Sequence, residues 1–197
     1  MIARAESVLD LFGARGAYLQ GHFRLTSGLH SSAYLQCALV LQHPADAERL
    51  GRMLAEDLRQ ISAAPVAVVA SPALGGVIIG HEVARALGSR FVFTERDAAE
   101  RKMTLRRGFQ IEPGETAMVV EDVITTGGST QEVVDTLRGA GAQVIAAGCI
   151  IDRSGGAAKV GVPRVALATL KVESHEPEAC PLCARGIPVV KPGSRPA

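Results

Sequence analysis

The chain has 197 residues, a length that suits one α/β domain with a full core and a small additional subdomain. Its formal net charge is +1, which excludes a broad electrostatic surface for nucleic acid or membranes, so an anion site must come from local clustering. The N-terminus lacks the apolar core of a signal peptide, and no apolar run approaches ~20 residues. We therefore expect a soluble, cytoplasmic protein that binds neither nucleic acid nor membrane.

The N-terminal part begins with a helical apolar pattern over about 7–19. Alternation in Phe23, Leu25 and Tyr34 around a Ser-Gly pair then predicts two short strands joined by a turn. Pro44 opens a further helix, because proline is tolerated in the first helical turn. The buried stripe of that helix is predicted to be Leu50, Met53, Leu54, Leu58 and Ile61.

Two segments that follow have patterns typical of a ligand site. The apolar run at 65–70 predicts a buried strand, and the small, glycine-rich turn at 71–76 leads into a helix at 77–87, so its amides can bind an anion. After a strand at 90–94 comes the polar segment 95–108, which carries five cations. Its length and charge predict a mobile lid, with a solvated charged hairpin as the alternative.

The most informative stretch is 118–130. Apolar residues up to Val120 predict a buried strand, and the acid pair Glu121 and Asp122 precedes a Thr-Thr-Gly-Gly-Ser-Thr turn. Ser129 with Glu132 three residues later predicts a capping box at the start of a helix. That helix would pack on the sheet through Val133, Val134 and Leu137. A strand, a glycine-rich turn and a helix in this order are typical of a phosphate site, because the amides at the helix N-terminus point at the anion.

This turn is neither of the two common phosphate loops. No lysine follows the glycines, as a P-loop requires, and there is no Gly-x-Gly-x-x-Gly dinucleotide pattern. Carboxylates beside a phosphate repel it unless they face sugar hydroxyls or a hydrated cation. The pattern therefore favours a ligand with a phosphate, ribose hydroxyls and bound Mg²⁺. The alternative is an ordinary strand and capped helix, which leaves the acid pair unexplained.

The order of residues in 118–130 resembles the phosphoribosyl-diphosphate (PRPP) motif of type I phosphoribosyltransferases. The resemblance implies an α/β fold, a parallel sheet flanked by helices with a small N-terminal hood. It implies one domain over 1–197, with the core at about 44–172 and the hood at about 18–40 together with the C-terminal tail. It also implies a homodimer whose lid reaches the neighbouring site, and Mg²⁺ bound mainly through PRPP and water, with no protein metal ligand.

Residue roles follow from the same resemblance. Arg96, Lys102 and Asp122 are the expected catalytic residues, although Arg101, Arg106 and Arg107 stay open as further lid cations that contact diphosphate. The residues expected to bind PRPP are Glu121, Asp122, Val123, Ile124, Thr125, Thr126, Gly127, Gly128, Ser129, Arg96 and Lys102.

The base is suggested by a buried strand at 143–151 that ends in Asp152-Arg153. An arginine at the carboxyl end of a sheet strand lies where a ligand binds, and its planar fork matches a carboxylate. This dipeptide and the hood pattern are similar to those of orotate-using members of the family, which implies that Thr125 and Arg153 bind orotate. Thr26 stands where those members usually have lysine. The alternative for Arg153 is a salt bridge to Asp152 or Glu121.

The implied reaction joins orotate to PRPP and gives orotidine 5′-monophosphate and diphosphate. A purine- or uracil-specific transferase and a non-catalytic PRPP-sensing regulator are the alternatives.

The C-terminal tail carries Cys180-Pro-Leu-Cys183, a pattern similar to that of one variant of these enzymes. With His175 the pair supplies at most three metal ligands, whereas a structural zinc needs four. We therefore expect ordinary thiols there, while zinc stays an open alternative. Cys149 is predicted to be a small core residue.

Overall fold

The computed structural model of the chain describes residues 2–25, 28–62, 64–99 and 102–192. The helices in these ranges are α1 (Ile2–Ala14), α2 (Ala38–Leu41), α3 (Pro44–Ile61), α4 (Gly76–Leu87), α5 (Gly128–Gly139) and α6 (Pro181–Ala184). The strands are β1 (Tyr18–Arg24), β2 (His30–Leu35), β3 (Val68–Pro72), β4 (Arg90–Arg96), β5 (Met103–Leu105), β6 (Thr116–Ile124), β7 (Gln143–Asp152), β8 (Arg164–Thr169) and β9 (Ser174–His175).

The central sheet has six strands in the order β5-β4-β3-β6-β7-β8. Its five longer strands are parallel, and the short β5 runs antiparallel to β4 at one edge. Parallel strands joined by helical crossovers need apolar residues on both faces. Accordingly, β3 is buried along its whole length, and β6 and β7 are buried over most of theirs. The α/β fold and the parallel sheet flanked by helices are thus confirmed.

The helices cover the two faces of this sheet unequally. On one face α1, α3 and α4 share a core with the sheet, built around side chains such as Phe12, Leu54 and Ile79. On the other face α5 packs through Val133, Val134 and Leu137, as predicted. The helix at Pro44 also forms as predicted, although Met53 and Ile61 of its stripe are only partly buried. No helix in the described residues has the length and apolar character needed to span a bilayer.

A second, three-stranded sheet has the order β1-β2-β9 and forms the hood. Strands β1 and β2 make the predicted hairpin, whose Thr26 and Ser27 lie outside the described residues. The tail adds β9 to the open edge of β2, with His30 opposite His175. It returns to β1 at Val190, whose amide donates to the carbonyl of His22 at 2.8 Å. This sheet therefore joins the hairpin that follows α1 to the C-terminal tail.

The first helix differs from its predicted bounds. It spans Ile2–Ala14 rather than about 7–19, because Gly16 has a φ of +63° and the chain then enters β1 at Tyr18. The left-handed conformation at Gly16 ends the helix before the apolar pattern ends.

The capping box predicted for α5 is wrong. The helix begins at Gly128, its N-cap is Gly127 with a φ of +87°, and no side chain caps it. Glu132 instead faces the neighbouring hairpin, where its carboxylate pairs with Arg96 at 2.9 Å and accepts from the amide of Met103 at 3.3 Å. The amide of Gly128 donates to the hydroxyl of Thr126 at 3.4 Å, whereas the N-cap residue supplies no side-chain acceptor to the first turn of α5.

The segment predicted as a mobile lid is largely paired. Strand β4 continues to Arg96 and turns back into β5, with Glu95 opposite Thr104 and Arg96 opposite Met103. In this conformation the segment is the charged hairpin that the sequence offered as the alternative. Glu100 and Arg101 lie outside the described residues.

Candidate active site

An anion cradle lies where β6 turns into α5. Strand β6 extends through Glu121 and Asp122 to Ile124, farther than predicted, because Ile124 still pairs with Asp152 of β7. Gly127 then reverses the chain. A side chain there would be strained by the positive φ and would meet the carbonyl oxygen of Lys159 at 2.9 Å. The resulting hollow is lined by Glu121 and by residues 123–130, with a volume of about 60 Å³.

The dimensions and polarity of this hollow suit a phosphate group. Thr125, Thr126, Gly128 and Ser129 are exposed in it, so hydroxyl and amide donors meet solvent at the N-terminus of a twelve-residue helix. Uncapped amides and the helix dipole both favour an anion at this position.

The acid pair Glu121 and Asp122 lies beside the cradle, and Glu121 lines it. Glu121 is only 8% exposed, and its Oε1 accepts from the amide of Asp122 at 3.2 Å. Burial and the nearby charge of Asp122 hold the pKa of Glu121 well above its usual range. Burial also raises the pKa of Asp122, whose Oδ1 accepts from the amide of Val123 at 2.8 Å. Two ionised carboxylates are unfavourable in such a position, so a cation or hydroxyl donors from a ligand would stabilise the pair.

The glycine-rich turn after β3 packs against this acid pair. A Cβ on Gly75 would lie 2.7 and 2.8 Å from the two carboxylate oxygens of Asp122, and a Cβ on Gly76 would lie 3.2 Å from Oε1 of Glu121. Only glycine allows the backbone to approach the carboxylates so closely. The turn is visible in the sequence, but this reason for its glycines is not. Leu74 beside it is 85% exposed, so the polar groups that the turn offers to a ligand are those of its backbone.

A second cleft opens on the other side of the cradle and has a volume of about 360 Å³. Its lining consists of Leu25, Leu29, Thr125, Thr126, Arg153, Val172 and Ser174. Both hood and core contribute to it, and Thr125 and Thr126 also line the anion cradle. The cleft and the cradle are therefore contiguous. No local sequence pattern marks Leu29, Val172 and Ser174, because each of them reaches the cleft only through the tertiary fold.

Arg153 is held at this cleft by its backbone, whose amide donates to the carbonyl of Ile124 at 2.8 Å. Its Nε is buried and has no hydrogen-bond partner among the described residues. Desolvation lowers the pKa of its guanidinium, which is the expected effect on a cation without a countercharge. A buried donor without a partner is costly, so an acceptor supplied by a ligand would stabilise this arrangement.

Neither of the salt bridges considered for Arg153, to Asp152 or to Glu121, forms in the structure. The carboxylate of Asp152 is engaged by Nη1 of Arg164 at 2.6 Å and by the hydroxyl of Ser154 at 2.6 Å. Hydrogen bonds from Ser154 and Arg164 overcome the effect of burial and lower the pKa of Asp152. Glu121 is engaged with Asp122 instead. The side chain of Arg153 therefore lies at the cleft, where it can bind a ligand.

The described cations of the segment 95–108, Arg96, Lys102, Arg106 and Arg107, do not line these two hollows. Arg96 pairs with Glu132, and Arg107 makes two 2.8 Å hydrogen bonds to Glu95, which lower the pKa of that carboxyl. Lys102 and Arg106 are exposed. Of the predicted site residues, the structure thus brings together the acid pair, the cradle and Arg153, but it does not bring Arg96 and Lys102 to them.

Comparison with known proteins agrees with this geometry. Residues 38–176 match the phosphoribosyl transferase domain, and the chain belongs to that family. Curated relatives named orotate phosphoribosyltransferase are similar over almost their whole length. The protein of Pelotomaculum thermopropionicum is 54% identical over 96% of this chain and 97% of its own, and that of Heliobacterium modesticaldum is 53% identical over 96% and 98%.

Solved structures show the same fold. The orotate phosphoribosyltransferase of Aeropyrum pernix superposes with a TM-score of 0.63 at 26% identity, over 83% of this chain and 94% of its own. An adenine phosphoribosyltransferase from Trypanosoma brucei also superposes, with a TM-score of 0.61 at 17% identity over 81% and 79%. Because transferases named for different bases share the fold, the fold alone does not identify the base.

Proposed function

We propose that this chain transfers the ribose 5-phosphate of PRPP to orotate and releases diphosphate, which is the step that forms orotidine 5′-monophosphate in pyrimidine biosynthesis. The observation that carries the proposal is the contiguity of two hollows through Thr125 and Thr126. One hollow offers amides to a phosphate, and the other offers Arg153 to an acceptor. A nucleotide whose base carries a carboxylate spans both. The full-length similarity to orotate phosphoribosyltransferases supports the same base.

In this proposal the chain positions the reactants and stabilises charge. The bond from the sugar carbon to diphosphate breaks as the orotate nitrogen bonds to that carbon, so the base itself is the nucleophile and no side chain attacks. The phosphate loop holds the 5′-phosphate, and Arg153 and Thr125 orient orotate, which converts a collision into an aligned reaction. Glu121 and Asp122 hold the ribose hydroxyls and face the positive charge that develops on the sugar.

Mg²⁺ fits this arrangement as a partner of the substrate. The buried acid pair, whose two pKa values are raised, favours a nearby positive charge, and hydrated Mg²⁺ is commonly held through one or two carboxylates and substrate phosphates. When bound, the ion supplies positive charge to the diphosphate oxygens. We propose that it is held mainly by PRPP and water, and that the acid pair orients its water shell and the ribose.

The hairpin at 95–108 would act as the lid through Arg96 and Lys102. Arg96 would leave the carboxylate of Glu132 and pair with diphosphate, so that one anionic partner replaces another. A homodimer in which each lid reaches the neighbouring site, and a cytoplasmic location, belong to the same proposal. Closure would exclude water that otherwise hydrolyses PRPP.

A panel of bases tests the function. Purified protein is incubated with PRPP and Mg²⁺ plus orotate, uracil, adenine or hypoxanthine, and diphosphate release is followed. Release with orotate alone supports the proposal. Release with uracil or a purine instead identifies a transferase of other specificity. PRPP binding without turnover on any base identifies a PRPP-sensing regulator.

A further inference from the structure

Four metal-binding side chains meet in the hood, far from the anion cradle in sequence. They are His22 of β1, His30 of β2, and Cys180 and Cys183 of the tail, and their ligand atoms all lie within 4.8 Å of one another. His22, His30 and Cys180 are buried, at 3%, 6% and 3% exposure, and Cys183 lies at the surface. Both cysteines are free thiols. His175, which the sequence suggested as a partner of the cysteine pair, is not a member of this cluster, and the two hairpin histidines lie there instead.

The separations match those of a tetrahedral centre. Metal–ligand distances of about 2.0 Å for nitrogen and 2.3 Å for sulfur place ligand atoms about 3.3 Å (N–N) and 3.5 Å (N–S) apart in a tetrahedron. Nε2 of His22 and Nδ1 of His30 are 3.0 Å apart. Sγ of Cys180 and Sγ of Cys183 lie 3.5 and 3.7 Å from Nε2 of His22, and Sγ of Cys183 lies 3.3 Å from Nδ1 of His30. A single ion can therefore contact all four atoms with small adjustments.

A hydrogen bond outside the cluster orients one ligand. Nδ1 of His22 lies 2.7 Å from the carbonyl of Ile187 and donates to it, which leaves Nε2 with its lone pair directed into the cluster. Metal-binding histidines are usually fixed in this way by a carbonyl or carboxylate on the other ring nitrogen. Ile187 belongs to the tail. Its own amide donates to the carbonyl of Leu182 at 3.1 Å, which holds it beside the cluster. The same segment thus provides two ligands and orients a third.

We propose that His22, His30, Cys180 and Cys183 bind one Zn²⁺ ion as a structural centre that fastens the C-terminal tail to the N-terminal hairpin. Binding releases the two thiol protons to solvent, so two thiolates balance the charge of the ion and two neutral imidazoles complete the site. With four protein ligands no coordination position is left for a substrate, which is the arrangement of structural rather than catalytic zinc.

A metal centre at this position would stabilise the hood and one wall of the cleft. The sheet has three strands, and its edge strand β9 has only two residues, so a cross-link between the tail and the hairpin would stabilise it. His30 directly follows Leu29, and Leu25 and Leu29 line the cleft beside Arg153. An ion that fixes His30 therefore fixes one wall of that cleft. Chelation would loosen this wall without touching the anion cradle.

Metal content and Co²⁺ spectroscopy test the centre without reference to activity. Protein purified without chelator is expected to contain about one zinc per chain, and the Co²⁺-substituted protein should show the visible bands of tetrahedral Co²⁺ with sulfur-to-metal charge transfer. The variants Cys180→Ser and His22→Asn should each lose bound zinc. Cys149→Ala and His81→Gln, which remove a thiol and an imidazole outside the cluster, should retain it.

Thermal unfolding of the wild-type protein provides a test that requires no variant. A zinc chelator should lower its Tm, and added Zn²⁺ should restore it, because the ion binds the folded state. No zinc or Co²⁺ bound after incubation with excess metal would overturn the proposal. So would a Cys180–Cys183 disulfide detected by mass spectrometry in metal-free protein made under reducing conditions, or zinc retained by both ligand variants.

Discussion

Replacing Arg153 with alanine is the perturbation that best separates recognition of the base from the rest of the site. Its Nε is buried without a partner, and its backbone is fixed to the end of β6 by a 2.8 Å hydrogen bond. A carboxylate on the ligand would accept charge-assisted hydrogen bonds from the fork. Loss of such bonds costs about 1.5–3 kcal/mol, or roughly 10- to 150-fold in affinity. The Arg153→Ala variant should therefore bind orotidine 5′-monophosphate that much more weakly.

The informative comparison is with uridine 5′-monophosphate, which lacks only the carboxylate and keeps the phosphate. Titration calorimetry with both nucleotides should show that Arg153→Ala weakens the first and changes the second by less than about threefold. Arg153→Lys should show an intermediate loss, because it keeps the charge and loses the fork. Arg52→Ala, an exposed arginine on α3, should affect neither. Equal losses for both nucleotides, or unchanged binding of the carboxylated one, would refute the role assigned to Arg153.

Three further substitutions test other parts of the site. Lys102→Ala should lower turnover roughly a hundredfold if the lid cation contributes about 3 kcal/mol to the transition state, while PRPP affinity changes far less; unchanged turnover in steady-state kinetics would refute the lid assignment. Gly75→Ala places a methyl group 2.7 Å from an oxygen of Asp122 and should lower turnover about tenfold to a hundredfold through displacement of that carboxylate. A variant with unchanged kcat would show that the displacement is harmless. Because folding raises the pKa of Glu121 above its unfolded value, the folded state binds that proton more tightly, so the wild type loses stability as pH rises above about 4.5. Glu121→Gln removes this loss, so its Tm relative to wild type should rise as the pH increases above about 4.5 while activity falls; parallel Tm curves would contradict the pKa shift.

Local patterns in the sequence predict the scaffold well. Pro44 and the apolar stripe behind it define α3, and the β-branched run before Glu121 defines β6. Such elements follow from periodicity and turn chemistry that a few neighbouring residues determine. The acid pair and the glycines after it were likewise visible, because their roles depend on one strand, one turn and one helix.

Features that depend on distant partners were not predictable in the same way. Ser129 and Glu132 have the spacing of a capping box, but Glu132 pairs with Arg96 of a neighbouring strand instead, and the helix begins at Gly128 with Gly127 as its N-cap. The charged segment at 95–108 folds back on β4, because strand pairing satisfies its backbone. The metal-ligand cluster joins His22 to Cys183 across 161 positions, and no spacing rule spans such a distance.

One competition experiment tests the central claim most directly. Orotate, uracil, adenine and hypoxanthine are mixed in equal amounts with limiting PRPP and Mg²⁺, the protein is added, and the nucleotides formed are identified by mass spectrometry. Orotidine 5′-monophosphate as the dominant product, with an equal amount of diphosphate, is the predicted result. A different nucleotide, or none while PRPP remains bound and intact, would contradict the assignment of this chain to orotate.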